Sequence, residues 1–271
     1  MKFSGTLSTL ALCAAAHAQT TVIGVVTTSA PTRTVNAVLD KRATPTALTT
    51  TLPASAGAVT SAAAIVVSGS FDGEMRRYER SEDVCQGQSE TGEDDAMFIL
   101  EDGATLSNVI IGATQAEGVH CRGTCTINNV WWSDVCEDAI TFQQDSGTSY
   151  INGGGAFHAD DKIIQFNGRG TVEVKNFYAN DYGKVARSCG NCDGNGGPRN
   201  FVMTGLQAVE GGVLCGINTN YGDTCTISNS CQNDGKYCDR YEGNDTGDEP
   251  DKIGSGPDGT YCVTSGVTES C

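Results

Sequence analysis

Between Leu106 and Ser230 the chain returns repeatedly to one short phrase of alternating apolar and polar residues: TLSNVIIG, TINNVWWS, SYINGGGA, VEVKNFYA and CTISNSCQ. Asparagines mark it at Asn108, Asn129, Asn152, Asn176 and Asn229, with Gly205 at the equivalent place in FVMTGLQA, in steps of 21, 23, 24, 29 and 24 residues. A second apolar series is interleaved with the first, through Val119, Ile140, Ile163, Val185 and Val213, in steps of 21, 23, 22 and 28. Period-two alternation predicts strands, and the intervening segments lack helical spacing. Two strand phrases per repeat of ~22 residues predict an all-β solenoid, a parallel β-helix of stacked coils. Asparagines at one place in successive coils can hydrogen-bond along the axis. Coils stacked ~4.8 Å apart line up side chains at that spacing, on a surface suited to an extended polymer.

The first residues change the picture of where this solenoid resides. Lys2, the apolar run LSTLALCAAA and the small-residue site Ala16-His17-Ala18 predict a secretory signal peptide over 1–18, cut before Gln19. Its apolar stretch is too short to span a bilayer, so the mature protein is expected to be secreted and free of membrane. Residues 19–66 are rich in Thr, Ala, Ser and Pro, and are expected to be a disordered propeptide or linker with a dibasic site at Lys41-Arg42. Residues 67–271 are expected to be the β-helix domain. Of 13 cysteines, Cys13 falls in the leader. The other twelve allow up to six disulfides in an oxidising compartment. Zinc ligation by Cys189 and Cys192, or by Cys121 and Cys125, is the weaker reading there. Asn244-Asp245-Thr246 is an N-glycosylation acceptor.

Charge narrows the partners. The formal net charge is −16, which disfavours nucleic acid and anionic membranes as partners. It also opposes a polyanionic substrate unless a local field overrules it. Lys162, Arg169, Lys175, Lys184 and Arg187 fall within one 26-residue span and could supply that field.

Aligning the second series on Val119, Ile140, Ile163 and Val185 puts Gly118, Ala139, Lys162 and Lys184 at one level, with Glu117, Asp138 and Asp161 one place earlier. A column of carboxylates is thus expected beside a column of lysines. Stacked carboxylates repel unless a cation lies between them, and hard oxygen donors suit Ca²⁺. A neighbouring lysine could serve a uronate carboxylate or lose its proton.

At these residues the chain resembles the family 3 pectate lyases. The strings that carry the likeness are EDGATLSNVIIG (101–112), AEGVHC (116–121), NNVWWSDVCEDA (128–139), DKIIQFNG (161–168) and GKVARSCGNC (183–192). The resemblance spans roughly 70–260 and implies a right-handed, single-stranded parallel β-helix. It implies Ca²⁺-dependent cleavage of de-esterified homogalacturonan (polygalacturonate, pectin) by β-elimination, carried out by an exported monomer. Position by position it implies metal binding by Glu117, Glu137 and Asp138, with Glu90 in GQSETGEDD as a further acidic residue near the metal. It assigns catalysis and substrate-carboxylate binding to Lys162, Lys184 and Arg187. Lys162 is favoured as base with Lys184 its rival, and Arg187 suits a bidentate clamp. Gln143 departs from the pattern, standing where many relatives carry lysine.

Other residues read more plainly. His120, between Val119 and Cys121, reads as a packed or hydrogen-bonded histidine. Trp131 and Trp132 are expected to divide between core and outer surface by strand alternation. Gly153-Gly154-Gly155 reads as a coil turn. A β-helix glycoside hydrolase would work through paired carboxylates, and the NTD, GHG and RIK signatures of such relatives do not occur here. A non-catalytic wall-binding β-helix is the other alternative, opposed by the retained Lys162, Lys184 and Arg187.

Overall fold

The structure is a computed structural model and describes residues 47–271. The expected signal peptide and Lys41-Arg42 lie outside the described residues. What is described is a right-handed parallel β-helix, in which each coil contributes strands to a site face, a ladder face and a back face. On the site face, Ile65, Phe98, Val119, Ile140, Ile164, Ala186, Cys215 and Cys238 form one unbroken column over eight rungs. On the ladder face, the column is Phe71, Leu106, Ile127, Ile151, Val174, Met203, Ile227 and Thr264. Leu106, Ile127, Ile151, Val174, Met203 and Ile227 have no exposed surface. Stacking like on like gives every rung the same apolar floor and ceiling, so the core is continuous along the axis.

The solenoid starts earlier than residue 67. Ala58–Ser61 already pairs with Arg77–Arg80, and Ile65–Val67 with Phe98–Leu100. Although large apolar side chains are scarce in this stretch, its strands draw their hydrogen bonds from the next rung. That boundary is therefore corrected to within 19–66.

The coil turns sharply between the ladder and back faces, and the sequence explains why. Asn108, Asn129, Gly153, Asn176, Gly205, Asn229 and Gly266 all have positive φ, from 48° to 69°. Left-handed backbone is costly for most residues, least so for Gly and Asn. The register places these residues above one another, because Ile151 pairs with Val174, Asn152 with Lys175, and Lys175 with Thr204. Asn129 Nδ2 donates to Asn108 Oδ1 at 2.9 Å. Asn152 departs from expectation. It aligns with Asn128 and donates to its Oδ1 at 3.0 Å, while Gly153 takes the left-handed position.

The second apolar series also shifts. Tyr182 pairs with Ala159 but Lys184 with Lys162, so Asp160-Asp161 includes one extra residue. This bulge moves Ile164, not Ile163, beneath Ile140. The expected division of Trp131 and Trp132 between core and outer surface does not hold, because both are buried. Trp131 stacks with Phe157 and donates to Asn129 Oδ1, so neither ring is open to a sugar.

All twelve described cysteines are paired: Cys85–Cys136, Cys121–Cys125, Cys189–Cys192, Cys215–Cys225, Cys231–Cys271 and Cys238–Cys262. This answers the zinc reading of 121/125 and 189/192. At the C-terminal end the strand Asp251–Ser255 turns back antiparallel on Cys238–Glu242. Among the described residues no helix is long and apolar enough to cross a bilayer.

Candidate active site

The bulge sets the site. Because Asp138 pairs with Lys162 and Lys162 with Lys184, these three share one column on the site face. Asp161, expected level with Asp138, is displaced outward and half-exposed, and it bridges the two lysines. Its carboxylate lies 2.6 Å from Lys162 Nζ and 2.7 Å from Lys184 Nζ. Lys162 Nζ also lies 3.4 Å from Glu137 Oε1 and 3.5 Å from Asp138 Oδ1. The expected acid and amine columns are thus one interlocked cluster.

Glu137 and Asp138 are 2% exposed. Burial raises both carboxyls above their ordinary range, against the pull of Lys162. Glu137 Oε2 and Asp138 Oδ1 are buried without a hydrogen-bond partner among the described residues. Glu90, Glu117 and Glu137 each present an oxygen within 4.8 Å of the others. Buried carboxyl oxygens without a hydrogen-bond partner, beside further carboxylates, are a donor set that a hard divalent cation fits.

Glu117 behaves differently. Its Oε1 accepts from the N–H groups of Thr91 and Gly92 at 2.9 and 3.0 Å, and His120 Nε2 lies 3.3 Å from Oε2. Burial opposes its charge, but His120 and the two N–H groups outweigh burial and bring the carboxyl to about 2. His120 is buried, in agreement with its reading as a packed, hydrogen-bonded residue.

The loop that brings Glu90 here is fastened beside the acidic pair. Cys85 bonds to Cys136, the residue before Glu137, and Gln88 Nε2 donates to the Cys136 carbonyl at 2.6 Å. Nothing in the local sequence of 81–96 shows this docking, because its partners are 25 to 50 residues away.

For Lys162, burial works against the ammonium. Asp138, Asp161 and Glu137 more than compensate and hold its proton above the ordinary lysine range. Lys184 is less buried and, among the described residues, has its ion pair with Asp161. Arg187 pairs in register with Gln165, on the rung of Lys184. It is 8% exposed, donates to Asn218 Oδ1 at 3.1 Å, and its guanidinium lies 4.0 Å above the Tyr241 ring. Burial lowers its pKa. Asn218 is itself fixed by the Cys189 carbonyl and Asp223. Neither Tyr241 nor Asn218 was legible beforehand, since both reach Arg187 from later rungs without a shared motif.

A parallel β-helix bearing buried carboxylates, two lysines and an arginine on one face defines a class of enzyme, and comparison with known proteins names it. The family model described as pectate lyase matches residues 49–248. The chain is 50% identical over 226 residues to probable pectate lyase E of Neosartorya fischeri, covering 83% of this chain and 86% of that one. It is 48% identical over 222 residues to pectate lyase E of Emericella nidulans, covering 81% and 86%. Among solved structures, the catalytic domain of pectate lyase PelI from Erwinia chrysanthemi superposes with a TM-score of 0.64 at 32% identity, covering 79% of this chain and 97% of that one. PelI in complex with tetragalacturonic acid superposes at 0.60 and 35% identity, covering 74% and 69%. The chain belongs to the pectate lyase family and is an enzyme of that class.

Proposed function

We propose that this protein is an exported, monomeric, Ca²⁺-dependent lyase that cleaves de-esterified homogalacturonan by β-elimination, leaving 4,5-unsaturated ends. The observation that carries the proposal is the approach of Lys162 Nζ to both Glu137 and Asp138, where Glu137 also clusters with Glu90 and Glu117. The bound tetragalacturonic acid of the PelI complex supports a polygalacturonate substrate.

Glu117, Glu137, Asp138 and Glu90 would hold Ca²⁺, whose bound charge would neutralise the uronate carboxylate next to the acidic C5 proton. Arg187, held rigid by Asn218 and Tyr241, clamps the same carboxylate through its planar fork. Lys162 is the base that takes the C5 proton as the C4–O bond breaks, and solvent water protonates the departing oxygen. Uncompensated, Asp138, Asp161 and Glu137 keep its proton in place; with their charge taken up, the amine releases it more readily. Lys184 orients Asp161 and the substrate. A lysine base calls for an alkaline optimum.

The test follows the ultraviolet absorbance of the unsaturated product on polygalacturonate, with and without Ca²⁺. Turnover that needs Ca²⁺ and stops in chelator supports the reading, whereas turnover in excess chelator removes the metal. Reducing ends without the chromophore would identify a hydrolase instead. Melting temperature gives a second readout: Ca²⁺ should raise it, and Glu137→Gln should abolish the rise.

A further inference from the structure

Asn244 is the only asparagine of the chain followed two places later by serine or threonine, with Asp245 between it and Thr246. The chemistry of the site face makes no use of this triplet. It lies in the loop that joins Cys238–Glu242 to the reversed strand Asp251–Ser255.

The fold anchors one end of the triplet and leaves the other in solvent. The Asn244 N–H donates to the Gly190 carbonyl at 2.8 Å, and the Asn244 carbonyl accepts from Asn195 Nδ2 at 2.9 Å. Residues 245–249 are all exposed. Thr246 turns back on the asparagine side chain, and its N–H and hydroxyl both donate to Asn244 Oδ1 at 3.1 Å. A carboxamide nitrogen carries two hydrogens. Asn244 Nδ2 spends one on the Asp248 carbonyl at 3.0 Å, and the other has no partner among the described residues. A sugar can replace that second hydrogen without breaking a hydrogen bond of the loop, and the exposed residues beyond leave it room in water.

Resting on the export reading above, we infer that Asn244 is a modification site that carries an N-linked oligosaccharide in the secreted protein. The co-reactant is a lipid-diphosphate-linked oligosaccharide of the secretory lumen. Asn244 Nδ2 bonds to its anomeric carbon and gives up one proton; the bond from that carbon to the phosphate oxygen breaks, and the lipid diphosphate leaves with the electron pair. The attachment point lies beside the catalytic strip. Gly190, which holds Asn244, follows Arg187 by three residues, and a Cβ at Gly190 would come within 2.6 Å of Arg187 Nη2. A hydrated, uncharged branch thus borders the site face next to Arg187.

The experiment secretes the full chain from a eukaryotic host and treats the product with peptide N-glycosidase, which cleaves the asparagine–sugar bond. Gel mobility and peptide mass are read before and after treatment. The wild type and Thr246→Ser are expected to lose mass, with the cleavage mapped to position 244, whereas Asn244→Gln and Thr246→Ala lose none. Thr246→Ala keeps Asn244 and its backbone anchors, so the comparison stands even where Asn244→Gln folds poorly. Secreted wild type that loses no mass overturns the modification, as does a loss that persists in both sequence-breaking variants. Wild type retained in the cell without sugar overturns the export reading and the modification with it, so the two failures are distinguishable.

Discussion

From Asn108 to Gly266, where a left-handed corner between the ladder and back faces is not glycine it is held by an asparagine side chain, which makes Asn129 a sensitive probe. Its carboxamide donates to Asn108 and accepts from Trp131 while its own backbone sits at φ 52°. Asn129→Ala combines the left-handed penalty with two lost hydrogen bonds and should cost about 2–3 kcal/mol of stability in a denaturant titration. Asn129→Gly, which restores the backbone freedom, should cost less. At the active site, Lys162→Ala should lower kcat roughly 10³-fold with little change in KM, as expected for loss of a positioned base. Arg187→Lys should also fail to restore wild-type rate, because an ammonium cannot present two parallel donors or lie flat on Tyr241. If Lys162→Ala retains near-wild-type turnover, the base is another group, and Lys184→Ala becomes the decisive comparison.

Loops and strands obey different rules of legibility, and two elements show why. The repeating strands were readable because each must fill the same apolar floor, so Leu106, Ile127 and Ile227 recur. The bulge at Asp160-Asp161 was not, since one extra residue on one rung leaves the alternation on either side intact. It changes only which residues are level, and that put Lys162 rather than Asp161 in line with Asp138. Glu90 was legible as an acidic candidate, but the disulfide that delivers its loop was not. Replacing both Cys85 and Cys136 by Ser should leave the solenoid folded, since the stacked rungs do not depend on that loop. It should raise the Ca²⁺ concentration needed for half-maximal activity, because Glu90 and the Thr91 and Gly92 N–H groups are then no longer held against Glu117.

The loop closed by Asp258 carries a pH dependence of its own. The carboxylate accepts from the N–H groups of Thr260, Tyr261 and Cys262 at 3.0, 2.8 and 3.0 Å, and Arg240 donates to it at 2.8 Å. Although burial opposes the charge, these partners bring the carboxyl to about 2, below the ordinary 3.8. A carboxyl depressed on folding stabilises the native state above its unfolded value, and this contribution fades as pH falls from 3.8 towards 2. Melting temperature measured across that window should drop in the wild type and drop less steeply in Asp258→Asn. An identical slope in both would dismiss the carboxylate as the cause.

Across the whole molecule, the formal charge of −16 opposes any polyanion, so approach and capture are governed by separate fields. Far from the surface the polymer meets net repulsion, which mobile ions damp over about 10 Å at 0.1 M salt. Close to the site face, Lys184 and Arg187 act within contact distance and are screened far less. Raising monovalent salt from about 0.01 to 0.1 M should therefore lower KM for polygalacturonate. A KM that rises steadily would mean that the local strip already dominates at long range.

On the site face the last coil strand, Cys238–Glu242, has a partner running the other way, Asp251–Ser255, whereas the ladder face ends on the parallel strand Cys262–Ser265. Parallel coils could otherwise continue indefinitely, since a bare terminal edge is a template for the next copy. A reversed strand presents the wrong polarity for another coil, and Lys252, paired with Asp239, places charge where a neighbour would have to dock. Deleting this flap should make the protein prone to end-to-end association along the site face, read as increased light scattering. Five residues thus act as a stop against further stacking on the site face.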